Sequence, residues 1–109
     1  MRQRKGLSVW NIEGKEYHKL YDTVIVERDG DKVTLNTGGW KTNHTKNCMN
    51  DFLKSFGFGV YQKDFVWYVR GREVSFSFDV DKVTFTIIDT PMGFQIGNFR
   101  EEVIRSAHG

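Results

Sequence analysis

A chain of 109 residues with one Cys, one Pro and a net charge of +2 is long enough to bury a core without staples, and its charge falls short of a dedicated nucleic-acid domain. Aromatic residues make up 15% of it, nine of them Phe, which excludes a disordered chain. A lone Cys forms neither an intramolecular disulfide nor a cysteine-rich zinc site and is consistent with a reducing compartment. With no apolar run of about 18 residues, and no apolar stretch in the opening MRQRKGLSVW, a single cytosolic domain over residues 1–109 is expected, without membrane attachment.

Taken in chain order, YDTVIVERDGDKVTLNTGG (residues 21–39) alternates around Asp29-Gly30, a dipeptide suited to a type I′ hairpin turn. That alternation predicts one buried face made of Val24, Val26, Val33 and Leu35. Residues 43–56 then place Thr45, Cys48, Met49, Phe52, Leu53 and Phe56 at spacings of three and four, the apolar stripe of an amphipathic helix. Thr42 or Asn43 would cap its start, and Gly57 would close its end in the left-handed conformation.

Downstream, FGVYQKDFVWYVRGREVSFSFDVDKVTFTII reads as three or four further strands broken near Lys63-Asp64, Gly71 and Asp79 to Asp81. Val74, Phe76, Phe78, Val83, Phe85 and Ile87 fall on one face, and Ser75, Ser77, Thr84 and Thr86 on the other, which implies an antiparallel sheet with one covered and one wet face. After Pro91 and Gly93, the apolar residues Phe99, Val103 and Ile104 suggest a short C-terminal helix. The expected fold is α+β: an antiparallel sheet of five or six strands, one main helix packed on a face, and a short helix at the end.

The chemistry is concentrated where a strand runs into the helix, LNTGGWKTNHTKNCMN (residues 35–50). A turn and a cap need only Gly38, Gly39 and Thr42. The stretch adds Trp40, Lys41, Asn43, Thr45, Lys46 and Asn50. Glycines before a helix allow a ligand close approach, the first-turn amides favour an anion, and Trp40 offers a flat stacking surface. The competing reading is structural, with the glycines turning the chain, Trp40 plugging the sheet edge and the threonines capping. The spacing matches neither the phosphate loop nor the dinucleotide fingerprint. His44, Asn47, Asp51 and Lys54 form a polar helix face that is either solvated or laid against a duplex.

A second candidate surface is aromatic: Tyr61, Trp67, Tyr68 and Arg70. Strand alternation separates Phe65, Trp67 and Val69 from Val66, Tyr68 and Arg70, so one set is core and the other is open. His18, His44 and His108 show no metal-ligand spacing, Cys48 falls on the apolar stripe as a core residue, and the aspartates sit mostly in turns. No metal and no cofactor is expected.

VTLNTGGWKTNHTKNCMN followed by GFGVYQKDFVWYV resembles a small family of tailed-bacteriophage proteins. In that family a hydrophobic strand enters Ser/Thr-Gly-Gly-Trp, followed by Thr, Thr-Lys and Arg-Met/Leu-Asn, and then by strands with Tyr-Gln and Trp-Tyr-Val. The resemblance covers residues 18 to 70 and rests on Gly38, Gly39, Trp40, Thr42, Thr45, Lys46, Met49, Asn50, Tyr61, Gln62, Trp67 and Tyr68. It departs at Cys48, where the pattern has a basic residue. It implies a phage or prophage origin, hence the host cytoplasm, and brings no established activity with it.

No nucleophile with its base, metal cluster or nucleotide loop assembles from these residues, so the expectation is a non-enzymatic protein. It would contact nucleic acid or a nucleotide phosphate through residues 38–46, assisted by Arg2, Arg4 and Lys5. The alternative is an anti-defence or host-takeover inhibitor that binds a host protein through the aromatic surface.

Overall fold

The computed structural model describes residues 4–39, 41–72, 74–78 and 82–102. The chain opens with four antiparallel strands, β1 (Leu7–Ile12), β2 (Lys15–Leu20), β3 (Thr23–Asp29) and β4 (Lys32–Asn36), and then forms the helix α1 (Asn43–Leu53) with a 3₁₀ turn at Lys54–Phe56. Strands β5 (Gly59–Lys63), β6 (Val66–Arg70), β7 (Ser75–Ser77), β8 (Lys82–Thr90) and β9 (Gly93–Glu102) follow. The expected single sheet is instead two: six strands in the order β1-β2-β3-β4-β8-β9, and a separate β5-β6-β7.

Because β4 pairs directly with β8, the chain leaves the large sheet after Asn36 and re-enters it at Lys82. The helix and the small sheet lie between these points and supply the apolar cover for the large sheet's inner face. Ile25, Val26, Val33, Leu35, Val83, Phe85 and Ile87 of that face share one core with Cys48, Met49, Phe52 and Leu53 of α1 and with Val60, Trp67, Val69 and Phe78. Each large side chain so buried contributes about 1.5–3 kcal/mol relative to exposure.

The helix follows its sequence signals closely. Thr42 caps it, its hydroxyl accepting from the Thr45 amide at 3.2 Å, and Gly57 ends the 3₁₀ turn at φ +80°. Thr45, Cys48, Met49, Phe52 and Leu53 are buried and Phe56 is half-buried.

Four readings are corrected. At the β3–β4 turn the central pair is Gly30-Asp31, and only Gly30 has a positive φ, so the turn is not type I′; Gly occupies the position that type II′ reserves for it. A bulge opposite His18 and Lys19 makes Ile25 an extra residue in β3. Ile25 and Val26 both become buried and Val24 stays half-buried, because a bulge resets the alternation. Strand β7 pairs with β6 and not with β8, and Val74 is 49% exposed. Residues 93–102 form β9, not the start of a helix. Phe94 and Ile96 pair across β8 and pack on the core, and this pairing satisfies a strand edge that a helix would leave open. Val103 and Ile104 lie outside the described residues, as do Asp79 to Asp81.

One further hairpin has a signal that periodicity alone does not pick out. Strands β1 and β2 turn at Glu13-Gly14, both with positive φ, in type I′ fashion. The sign was an X-Gly pair between LSVWNI and KEYHKL.

Candidate functional site at the strand-to-helix junction

Between β4 and α1 the backbone takes φ +62° at Gly38 and +86° at Gly39, values that a residue with a Cβ reaches only with strain. A Cβ at Gly38 would also fall 2.7 Å from Thr23 Cγ2, so this glycine lets the junction press against the β2–β3 turn. Much of the polar content is used in holding this shape. Gly38 N donates to Asn36 Oδ1 (2.9 Å) and Gly39 N to Thr37 Oγ1 (3.1 Å), and the Thr42 and Thr45 hydroxyls meet at 3.1 Å.

What the junction borders is a half-open cavity of about 300 Å³. Thr37, Thr42, His44 and Thr45 form one wall. The other comes from β2, β3 and their turn: Leu20 and Ile25 contribute apolar surface, and Tyr21, Asp22 and Thr23 contribute the turn itself. The volume lies at the small end of ligand pockets. These turn residues were missed by periodicity, since nothing local announces that a turn after β2 will face a loop after β4.

Tyr21 is unusual in its backbone. It adopts φ +53° although it carries a bulky side chain, a conformation costing on the order of 1 kcal/mol or more. Its amide donates to the Gly6 carbonyl at 2.8 Å, and its ring lies where a Cβ on Gly6 would be only 2.4 Å from Cε1. The ring faces His44 at 6.2 Å between centroids. His44 Nε2 in turn donates to the Lys5 carbonyl at 2.7 Å. The segment from Arg4 to Gly6 therefore straps the side of the cavity.

The strap also engages the polar helix face. Arg4 Nε donates to Asp51 Oδ2 at 2.7 Å, and Arg4 Nη2 donates to Asp51 Oδ1 at 3.3 Å. Hydrogen bonding by Arg4 holds the Asp51 carboxyl below its ordinary value and raises the Arg4 guanidinium. Asp51 also lies 3.9 Å from Lys54 Nζ. On the face of His44, Asn47, Asp51 and Lys54 the N-terminal segment thus engages His44 and Asp51, while Asn47 and Lys54 stay exposed, and Arg4 already has a carboxylate partner. Arg2 lies outside the described residues.

The other expected site residues divide. Lys41 and Asn43 are exposed at the helix start, while Lys46 is half-buried with Nζ 6.0 Å from the Trp67 ring. Asn50 is turned to β5, its Nδ2 donating to the Val60 carbonyl (3.0 Å) and its Oδ1 accepting from the Val60 amide (2.6 Å). Trp40 lies outside the described residues. Cys48 is fully buried, and burial pushes its thiol up.

On the small sheet, Trp67 is 2% exposed and belongs to the core, which corrects its inclusion in an open aromatic surface. Its neighbours Tyr61 and Tyr68 remain on the open side, stacked at 5.2 Å and 15°, with Arg70 Cζ 6.0 Å from the Tyr61 ring. At the tip of that hairpin Asp64 and Phe65 both take positive φ, and Phe65 is 92% exposed.

His18 is buried against Phe52 and contacts the Glu16 carboxylate, so it belongs to the packing of β2. Among the described residues no group of three His, Cys, Asp or Glu side chains is placed to hold a metal ion, and no helix is long and apolar enough to cross a membrane.

A family model described as Kyanoviridae Gp96 protein matches residues 7–87. The matched span holds β1 to β7, both walls of the cavity and the first part of β8, residues 82–87, and it contains the whole of residues 18–70 on which the phage resemblance rests. No curated protein and no solved structure matches the chain.

Proposed function

The chain belongs to the Kyanoviridae Gp96 family of phage proteins, and from that premise we propose that it is a non-enzymatic binding protein of the infected host's cytoplasm that engages nucleic acid or a nucleotide at the β4–α1 junction. The observation that carries this reading is the half-open cavity of about 300 Å³ between the junction and the β2–β3 turn. Helix-start amides beside it favour an anion, and Lys41 and Lys46 bracket the first turn of α1. Among the described residues lining the cavity none pairs a nucleophile with a base, which favours binding over catalysis.

The test is titration with labelled single- and double-stranded DNA, RNA and a panel of linear and cyclic nucleotides, followed through backbone amide shifts. Perturbation centred on residues 37–46 is expected. For non-specific DNA a dissociation constant of about micromolar or weaker is expected at physiological salt, tightening as salt falls. If no ligand moves these amides at low salt, the reading fails.

A second reading, a host-protein inhibitor, is favoured by the β5–β6 hairpin. Its exposed Phe65 and the Tyr61, Tyr68 and Arg70 face present the aromatic and Arg residues enriched in interface anchors. Binding through this face would tolerate salt, whereas nucleic-acid binding would not.

A further inference from the structure

We propose that the junction cavity receives the base of a nucleotide and leaves its phosphate outside, and that it prefers bases with an exocyclic amine. This rests on the nucleotide reading above and deepens it.

The argument begins with charge. Lys41 and Lys46 belong to the junction sequence, but neither lines the cavity, and among the described lining residues Asp22 is the one carboxylate and no Lys or Arg is present. A phosphate drawn inside would meet that carboxylate with no Lys or Arg among the described lining residues to offset it. An uncharged group meets no such barrier.

Shape and surface point the same way. Leu20 and Ile25 present apolar surface, and two rings, Tyr21 and His44, border the cavity. Apolar walls with an aromatic edge suit a flat heterocycle, which gains by stacking whatever its sequence context. Tyr21 is held there at a cost: its backbone is in the left-handed region, and the bond to Gly6 and the absent Cβ of Gly6 keep its ring in place. Strained residues of this kind concentrate at ligand clamps.

Asp22 then sets the preference. An ionised carboxylate only accepts hydrogen bonds, so it is complementary to the amine of cytosine, adenine or guanine. Uracil would bring carbonyl oxygens on both sides of its single imide N–H toward that carboxylate. Thr37 Oγ1 accepts from the Gly39 amide, Thr42 Oγ1 accepts from the Thr45 amide, and the Thr42 and Thr45 hydroxyls share one hydrogen bond; each hydroxyl can both donate and accept, so Asp22 is the one acceptor-only side chain among the described lining residues.

The experiment compares cytidine, adenosine, guanosine, uridine, sodium phosphate and argininamide by amide shifts of the full chain, alongside single-stranded DNA. The amine-bearing nucleosides are expected to shift Thr23, Thr37 and Thr45, with uridine about ten-fold weaker. Asp22→Asn should abolish that preference. Tyr21→Gly, which suits the positive φ, should weaken every nucleoside about ten-fold without lowering the melting temperature. Equal binding of uridine, or shifts from argininamide alone, would overturn the assignment. Binding of phosphate or DNA at residues 38–46 with no nucleoside effect would overturn the base pocket and leave the junction reading standing. Silence from every ligand would remove both.

Discussion

Asn50→Ala is the substitution that best separates framework from site at the junction. Strand β5 is an edge of the small sheet, and Asn50 occupies part of that edge with one carboxamide, accepting from the Val60 amide at 2.6 Å and donating to its carbonyl at 3.0 Å. Val60 is 4% exposed, so water cannot readily take over both bonds. Truncation removes two hydrogen bonds of about 1 kcal/mol each and leaves a buried amide and carbonyl whose desolvation costs about 1–3 kcal/mol apiece when unmet. Partial relaxation of the strand brings the expected loss to about 2–4 kcal/mol, a large share of the stability of a domain this size. Chemical denaturation should show the midpoint falling with an unchanged slope, and the melting temperature should drop on the order of 10 °C. Asn50→Asp keeps one acceptor but loses the donor and aims a carboxylate at the Val60 carbonyl, so it should be similarly costly. An Asn50→Ala protein within about 0.5 kcal/mol of wild type that has lost ligand binding would refute the clamp and return Asn50 to the site.

Three other outcomes are expected. Phe65→Gly should raise stability by about 1 kcal/mol, read from the denaturation midpoint, because Gly suits the second central position of this turn and the phenyl ring touches little; a loss of stability would mean that the ring packs. Cys48 should react with a thiol reagent only as fast as the protein opens, since burial both raises its pKa and blocks access, and rapid labelling at neutral pH would contradict its place in the core. The Arg4–Asp51 pair lowers the folded pKa of Asp51 below its ordinary 3.8. Its contribution is therefore present above that value and is lost as pH falls through the lower folded one. Both groups are partly exposed, so the effect is small, and Asp51→Asn should narrow the stability difference between pH 5 and pH 2, while an unchanged difference would refute the pairing.

Local chemistry determined what lies within a few residues. The apolar stripe from Thr45 to Leu53, the Thr42 cap, the Gly57 stop and the break at Lys63-Asp64 all follow from helical or strand periodicity and turn preference, which act over one or two turns of chain. The sequence also narrowed Trp67 and Tyr68 to opposite faces. Only the tertiary structure decided that Trp67 is core, because either face of a short strand will bury if something covers it. The same holds for the bulge that exchanges Val24 for Ile25, for the pairing of β8 with β4 across the inserted helix and small sheet, and for β9 in place of a terminal helix. In each case the deciding quantity is burial and backbone pairing against residues distant in sequence. The cavity belongs to this second group: LNTGGWKTNHTKNCMN contains one wall, and Tyr21, Asp22 and Thr23 supply the other only when β2, β3 and β4 have paired and Gly38 has allowed the turn and the junction to meet.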